Sequence, residues 1–316
     1  MKSLLTLLLL FFCFSFAFAG EEREMLIVVS EPGNPDYDQE FRRQAKVWQQ
    51  VAKEGSIKAL TIGLDEGGDP SDRMADRVAL EKAFEKLPKK GGDLWLVWIG
   101  HGSFDGRNAN FNLRGGDIDA QSVAALVKPF ERRLIILNLF SASAPFLDKL
   151  SEKNRVIISS TRSYEQRNYS RFGEYLADAI ESTDSDMDLD GKVSLLEAVL
   201  EASARTEAFY LDAQRVVSEN AVIEDNGDDV ATPTGVFQGF RPEMESEESV
   251  PDGALTREIY FLDANPDPLQ GDAKEERAEL ERQIQQLNRN KDRLTDDQYF
   301  ELLEPLMLRM AELHGK

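Results

Sequence analysis

Asp93-Leu-Trp-Leu-Val-Trp-Ile-Gly-His-Gly-Ser103 is an apolar run of strand length that ends in a histidine and two small residues. Further along, Arg133-Leu-Ile-Ile-Leu-Asn-Leu-Phe140 ends the same way, in Ser141-Ala-Ser143-Ala144. Short, nearly continuous apolar runs without polar alternation are the pattern of strands buried on both faces. Each run carries a side chain capable of chemistry at its C-terminal tip. Such tips form the rim of a site in an open α/β sheet, where ligands lie beyond the carboxyl ends of the strands.

The surrounding pattern alternates between strand and helix. Met25 to Val29 reads as a buried strand, Asp38 to Val51 as an amphipathic helix and Lys58 to Ile62 as a strand. Ser71 to Leu87 reads as a helix opened by Ser71 and Asp72. After His101 come a Gly- and Asn-rich loop with a short extended piece near Phe111 to Leu113, a helix over Asp119 to Phe130, the Ser141 strand, and a strand over Arg155 to Ser159. Strands alternating with helices imply right-handed crossovers, so the expected class is α/β, a mostly parallel sheet flanked by helices. Gly173 to Glu181 and Val193 to Tyr210 read as helices, Glu219 to Glu248 as acidic and largely loop, and Arg257 to Leu262 as a late edge strand.

From Ala273 onward the chain is charged and helical, with Leu280, Ile284, Leu287 and Leu294 on one face. Thr295-Asp296-Asp297-Gln298 is a capping box, followed by Phe300, Leu303, Leu306, Met307 and Met310. That pattern predicts a C-terminal helical hairpin or short coiled coil over 271–316, docked on the domain or available for self-association.

Composition narrows the function classes. With 316 residues, 41% hydrophobic and 30% charged, the chain can bury one sizeable core with an appendage. Lys+Arg 37 against Asp+Glu 58 gives a net charge of -21, which repels phosphate backbones, and no basic patch opposes it, so no nucleic-acid partner is expected. Lys2, the apolar stretch Leu4 to Phe18 and Ala17-Phe18-Ala19 read as a signal peptide over 1–19, cleaved after Ala19. The stretch is too short to span a bilayer comfortably, so a secreted or periplasmic protein without membrane insertion after cleavage is expected. Cys13, the single cysteine, falls in the removed part and leaves the mature chain without thiol or disulfide chemistry.

A second constellation points to a metal. In Asp186-Met-Asp188-Leu-Asp190-Gly191-Lys192-Val-Ser194-Leu-Leu-Glu197, acids stand at the first, third and fifth positions, glycine at the sixth and glutamate at the twelfth. Hard oxygen ligands at this spacing fit an EF-hand calcium loop, with Lys192 contributing its carbonyl and Ser194 its side chain or a water. The expected cofactor is a structural Ca2+. The alternative is an acidic turn whose carboxylates cap the helix that follows.

The paired strand ends, His101-Gly102-Ser103 and Ser141-Ala142-Ser143-Ala144, resemble those of the caspase/legumain-like (clan CD) cysteine peptidases, legumains in particular. The resemblance covers roughly Met25 to Tyr210 and implies a caspase/legumain-like domain over 20–270. In that family a His-Gly pair and a later Cys-x-Ser-Gly turn supply the catalytic dyad. His101 is then the assisting base, Gly102 contributes its amide to the oxyanion hole, and Ser141 stands where the nucleophilic cysteine would be. Ala144 replaces the glycine of the turn. A serine hydroxyl needs an oriented base where a thiolate does not, and no acidic partner for His101 is identifiable.

Three readings of Ser141 follow: a pseudopeptidase that binds a peptide or protein along the rim, an active hydrolase with Ser141 as nucleophile and His101 as base, or a shifted alignment in which Ser143 or Phe140 holds the equivalent place. His101 itself could instead merely cap its strand loop. The resemblance also implies that the segment after the Arg155 strand lines a specificity pocket, which makes Arg162 and Arg167 candidates for substrate binding beside the alternative of solvated surface arginines. Asp225-Asn-Gly-Asp-Asp229 reads as plain loop, and Asn168-Tyr-Ser170 matches the glycosylation pattern without further support.

Overall fold

The computed structural model describes residues 22–64, 75–188, 191–242, 252–261, a scatter of positions between 273 and 291, and 294–314. The chain divides into two units, Met1–Leu262 and Asp263–Lys316. The expected signal peptide and the start of the Ser71 helix lie outside the described residues.

The first unit is built on strands β1 (Glu24–Val29), β2 (Lys58–Ile62), β3 (Leu94–Gly100), β7 (Leu134–Phe140) and β8 (Arg155–Ser159), all parallel. Two short antiparallel strands, β9 (Val222–Glu224) and β10 (Thr232–Pro233), extend it to a seven-stranded sheet in the order β10-β9-β8-β7-β3-β1-β2. Between β3 and β7 a small sheet forms from β4 (Gly102–Phe104), β5 (Ala109–Phe111) and β6 (Ile118–Asp119).

Burial explains the sequence pattern of the central strands. Alternate residues of β3 feed two cores: Trp95, Val97 and Ile99 on one face, Leu94, Leu96 and Trp98 on the other. The first face is covered by α1 (Pro35–Glu54), α5 (Phe172–Glu181) and α6 (Leu195–Asp212), through Phe41, Trp48, Leu176 and Val199. The second is covered by α2 (Ala75–Lys86), α3 (Ala120–Val127) and α4 (Ala144–Leu150), through Leu80, Val123 and Phe146. Each such side chain contributes about 1.5–3 kcal/mol of burial free energy. Helix α1 starts where it does because the Asn34 side chain accepts from the Tyr37 amide and Pro35 presets the first turn. At the opposite end from the site, the buried Arg132 guanidinium pairs with Glu24 and donates to the carbonyls of Glu22 and Asp93, tying strand starts together.

Two expectations need correction. Among the described residues the edge strand expected from Arg257 does not form: α7 (Ala254–Arg257) is a single helical turn, and Tyr260 makes an isolated bridge to Ser194. The buried Asp225 carboxylate accepts from the Thr256 amide and hydroxyl at 2.8 Å each, which holds the turn coiled. The stretch from Glu219 is less irregular than its composition suggests, because Ala221, Val222 and Ile223 bury their side chains beside β8. Helix α4, over a segment to which the sequence pattern assigns no element, begins immediately after the serine-rich tip.

In the second unit, the described positions from Ala273 to Leu287 are helical, and a second helix spans Asp296–His314. Thr295 and Gln298 exchange side-chain to backbone hydrogen bonds at its start, as a capping box does. Leu280 and Leu313 are buried with Ala273, Leu306 and Met310 packed against them, and Arg309 pairs with Glu276 at 2.6 Å. Phe300 and Met307 are exposed instead of joining that face. Among the described residues, no helix is long and apolar enough to cross a membrane.

Candidate functional site

Strands β3 and β7 are adjacent and parallel, with Gly100 in register with Phe140. His101 and Ser141 therefore leave neighbouring strands at the same end of the sheet. The two tips touch through Gly102: the Ser141 hydroxyl donates to the Gly102 carbonyl at 3.0 Å and accepts from the Gly102 amide at 3.3 Å. A Cβ on residue 102 would lie 2.2 Å from the Ser141 carbonyl oxygen and 2.5 Å from the Phe140 ring, so only glycine permits this approach.

Ser141 is 2% exposed and Ser143 fully buried. Between them Ala142 adopts a φ of 55°, the left-handed region that a residue with a Cβ enters rarely, and its amide donates to the Gln166 carbonyl at 2.8 Å. Ser143 is engaged with Thr161: its amide donates to the Thr161 hydroxyl at 2.8 Å, and the Thr161 amide donates back to the Ser143 hydroxyl at 3.2 Å.

The imidazole of His101 has its own set of partners. Its backbone amide donates to the Ser30 hydroxyl at 2.8 Å, and the ring hydrogen-bonds to the Pro32 carbonyl. Around it stand Tyr37 at 4.7 Å, Phe41 at 5.1 Å and Tyr169 at 5.9 Å between ring centroids, all edge to face. Burial in this box lowers the His101 pKa below its ordinary value, against the opposing pull of the Pro32 carbonyl. Tyr37 and Phe41 come from one face of α1, which Arg43 fastens to α5 through Asp178 at 2.6 Å. A groove of about 440 Å³ shares Tyr37 and Tyr169 with the box and continues past Arg171, Phe209 and Arg215.

Arg162 and Arg167 are exposed on the loop that follows β8. Their backbone amides donate to the Gln166 side chain at 3.0 Å and the Glu165 carbonyl at 2.9 Å. The aromatic box was not read from the sequence. Tyr37 and Phe41, one helical turn apart just after the Asn34-Pro35 helix start, are the available signal, whereas nothing local links Tyr169 to them.

The acidic loop brings Asp186, Asp188 and Glu197 together, with carboxylate oxygens within 4.8 Å of one another. Gly191, at a φ of 84°, lets the loop turn, and its amide donates to Asp186 at 2.9 Å. Glu197 accepts from the amides of Met187 at 2.8 Å, Asp188 at 3.2 Å and Ser194 at 2.7 Å, and from the Ser194 hydroxyl at 2.8 Å. Glu197 and Ser194 thus also form the capping box that starts α6. Burial raises the Glu197 pKa, and the neighbouring Asp188 adds to the effect. Arg257 sits on Asp188 at 3.1 Å and Lys192 over the Tyr260 ring at 5.2 Å. Asp190 lies outside the described residues. Convergent hard oxygens around a glycine turn fit a divalent cation of the calcium type.

No family model matches the sequence, and no curated protein matches it. Among solved structures, the chain is similar to caspase-1 from Spodoptera frugiperda, at 9% identity and a TM-score of 0.40, covering 65% of this chain and 88% of that one. It is also similar to a structural-genomics protein from Geobacter sulfurreducens, at 13% identity and a TM-score of 0.37, covering 58% and 89%. Likenesses this distant carry no argument about activity.

Proposed function

We propose that this chain is a caspase/legumain-type domain that binds a peptide or protein along the rim around His101 and Ser141 without cleaving it. The observation that carries the reading is the state of the two dyad positions. The Ser141 hydroxyl is buried and bonded both ways to the Gly102 backbone, while the His101 ring is engaged with Pro32 inside three aromatic rings. A serine becomes a nucleophile only when an oriented base shares its proton, and here the hydroxyl proton is directed to a carbonyl. The Gly102 amide, which would stabilise an oxyanion, faces the serine itself. What remains is a rim with an aromatic groove beside it, suited to holding an extended chain.

The reading extends to four further points. The chain is secreted or periplasmic after loss of residues 1–19. Asp186, Asp188, Asp190, the Lys192 carbonyl, Ser194 and Glu197 hold a structural Ca2+ that pins the start of α6. Arg162 and Arg167 border the bound ligand, and the C-terminal hairpin provides a surface for self-association.

The test is to pass a degenerate peptide library over the immobilised mature protein and sequence what is retained. Intact peptides recovered from the column support a binding module. Fragments that disappear with Ser141→Ala, or no retention at all, contradict it.

A further inference from the structure

Ser141 and Ala142 lie between two loops that are each bonded to them. On one side β4 contacts Ser141 through Gly102, and on the other the loop after β8 contacts Ala142 through the Gln166 carbonyl at 2.8 Å. The outer residues of these loops meet. Phe104 and Tyr164 stack with ring centroids 4.5 Å apart and an interplanar angle of 29°.

Strand geometry sets the direction of the Phe104 ring. Side chains two apart in a strand share a face, and the face that Gly102 turns toward Ser141 is defined by the 2.2 Å that would separate its missing Cβ from the Ser141 carbonyl oxygen. Phe104 projects from that same face, on the last β4 position before a tip that Asp105 fixes by accepting from the amides of Arg107 and Asn108 at 2.8 Å each. Tyr164 comes from a loop anchored at both ends, by Thr161 on Ser143 and by Gln166 on Asn220 at 2.7 Å. Two pinned segments thus hold the pair, with Tyr164 exposed and Phe104 half-buried against the second core, and the rings are the contact between their outer ends.

We infer that the Phe104–Tyr164 pair is a clasp over position 141, and that an extended peptide reaching Ser141 displaces one ring to do so. The inference rests on the rim being the binding face, and it adds a gate to it. Phe104 is seated on the core, so Tyr164 is the ring that swings, and a single stacked contact is a weak fastening that suits a contact that must open.

The chain's single cysteine, Cys13, lies in the expected signal peptide, so Ser141→Cys places one thiol in the mature protein as a reporter of access. Its alkylation by iodoacetamide would be followed by intact mass with the clasp present, with Phe104→Ala, and with Tyr164→Ala. Each truncation is expected to speed labelling by about threefold or more, while Tyr164→Phe, which keeps the stack, leaves it slow. Equal rates for the parent and Tyr164→Ala would overturn the clasp. Tyr164 is exposed on a loop, so that variant keeps the test decisive if Phe104→Ala does not fold. Labelling reads access alone, so it fails independently of whether any peptide is bound or cut.

Discussion

The hydroxyl of Ser141 and the backbone of Gly102 satisfy each other in both directions, at 3.0 Å and 3.3 Å. On the proposed reading, this exchange joins the strand tips that would carry nucleophile and oxyanion donor. The same contact that gives the rim its shape also occupies the groups that chemistry would need.

Gly102 is the residue this contact tolerates least in any other form. A methyl at residue 102 would meet the Ser141 carbonyl at 2.2 Å and force β4 away from β7. Gly102→Ala should destabilise the fold by about 2 kcal/mol or more in urea unfolding, in the range of overpacked cores. Ser141→Ala should cost about 1 kcal/mol, the net worth of a hydrogen bond. A neutral Gly102→Ala would mean the tips do not touch.

The His101 box makes a pH prediction. Burial holds the folded-state pKa of the ring below the ordinary histidine value of about 6.5. Above that pH the ring is neutral in both states and the folded chain has its full stability. As pH falls below it, the unfolded chain takes up a proton that the folded chain refuses, so stability declines until the folded pKa is reached. The chain has two histidines, and His101→Gln identifies the NMR signal that should titrate below 6.5. Titration at or above 6.5 would contradict the half-buried ring with its lowered pKa.

For the acidic loop the prediction is a calcium-dependent melting temperature. At millimolar Ca2+, about one to ten times the dissociation constant of an extracellular loop, binding should add roughly 0.4–1.4 kcal/mol and raise the melting point by a few degrees. Glu197→Ala lowers the baseline, because Glu197 also caps α6, and should abolish the rise. No rise in the parent chain would leave the carboxylates with only their capping role.

How far the sequence could be read depended on how locally each feature was encoded. Strands β3 and β7 were legible because both faces are buried, which leaves apolar runs such as Leu94 to Ile99 nearly unbroken. Strand β9 was not, since Val222 and Ile223 are a short apolar island before the acids Glu224 and Asp225. Helix α4 is only Ala144–Leu150 with Pro145 in its first turn, too short for a helical period to be read from the sequence. The acidic loop carried its own register in Gly191 and Glu197. The surroundings of His101 did not, because Ser30, Tyr37, Phe41 and Tyr169 reach it only through tertiary packing.

The central claim is that the rim has lost its nucleophile. Treating the mature protein with a fluorophosphonate probe and measuring its intact mass tests this directly, because such a probe reacts with a serine only when a base activates it. The account predicts unmodified mass. An adduct that maps to Ser141 and disappears with His101→Ala would contradict it.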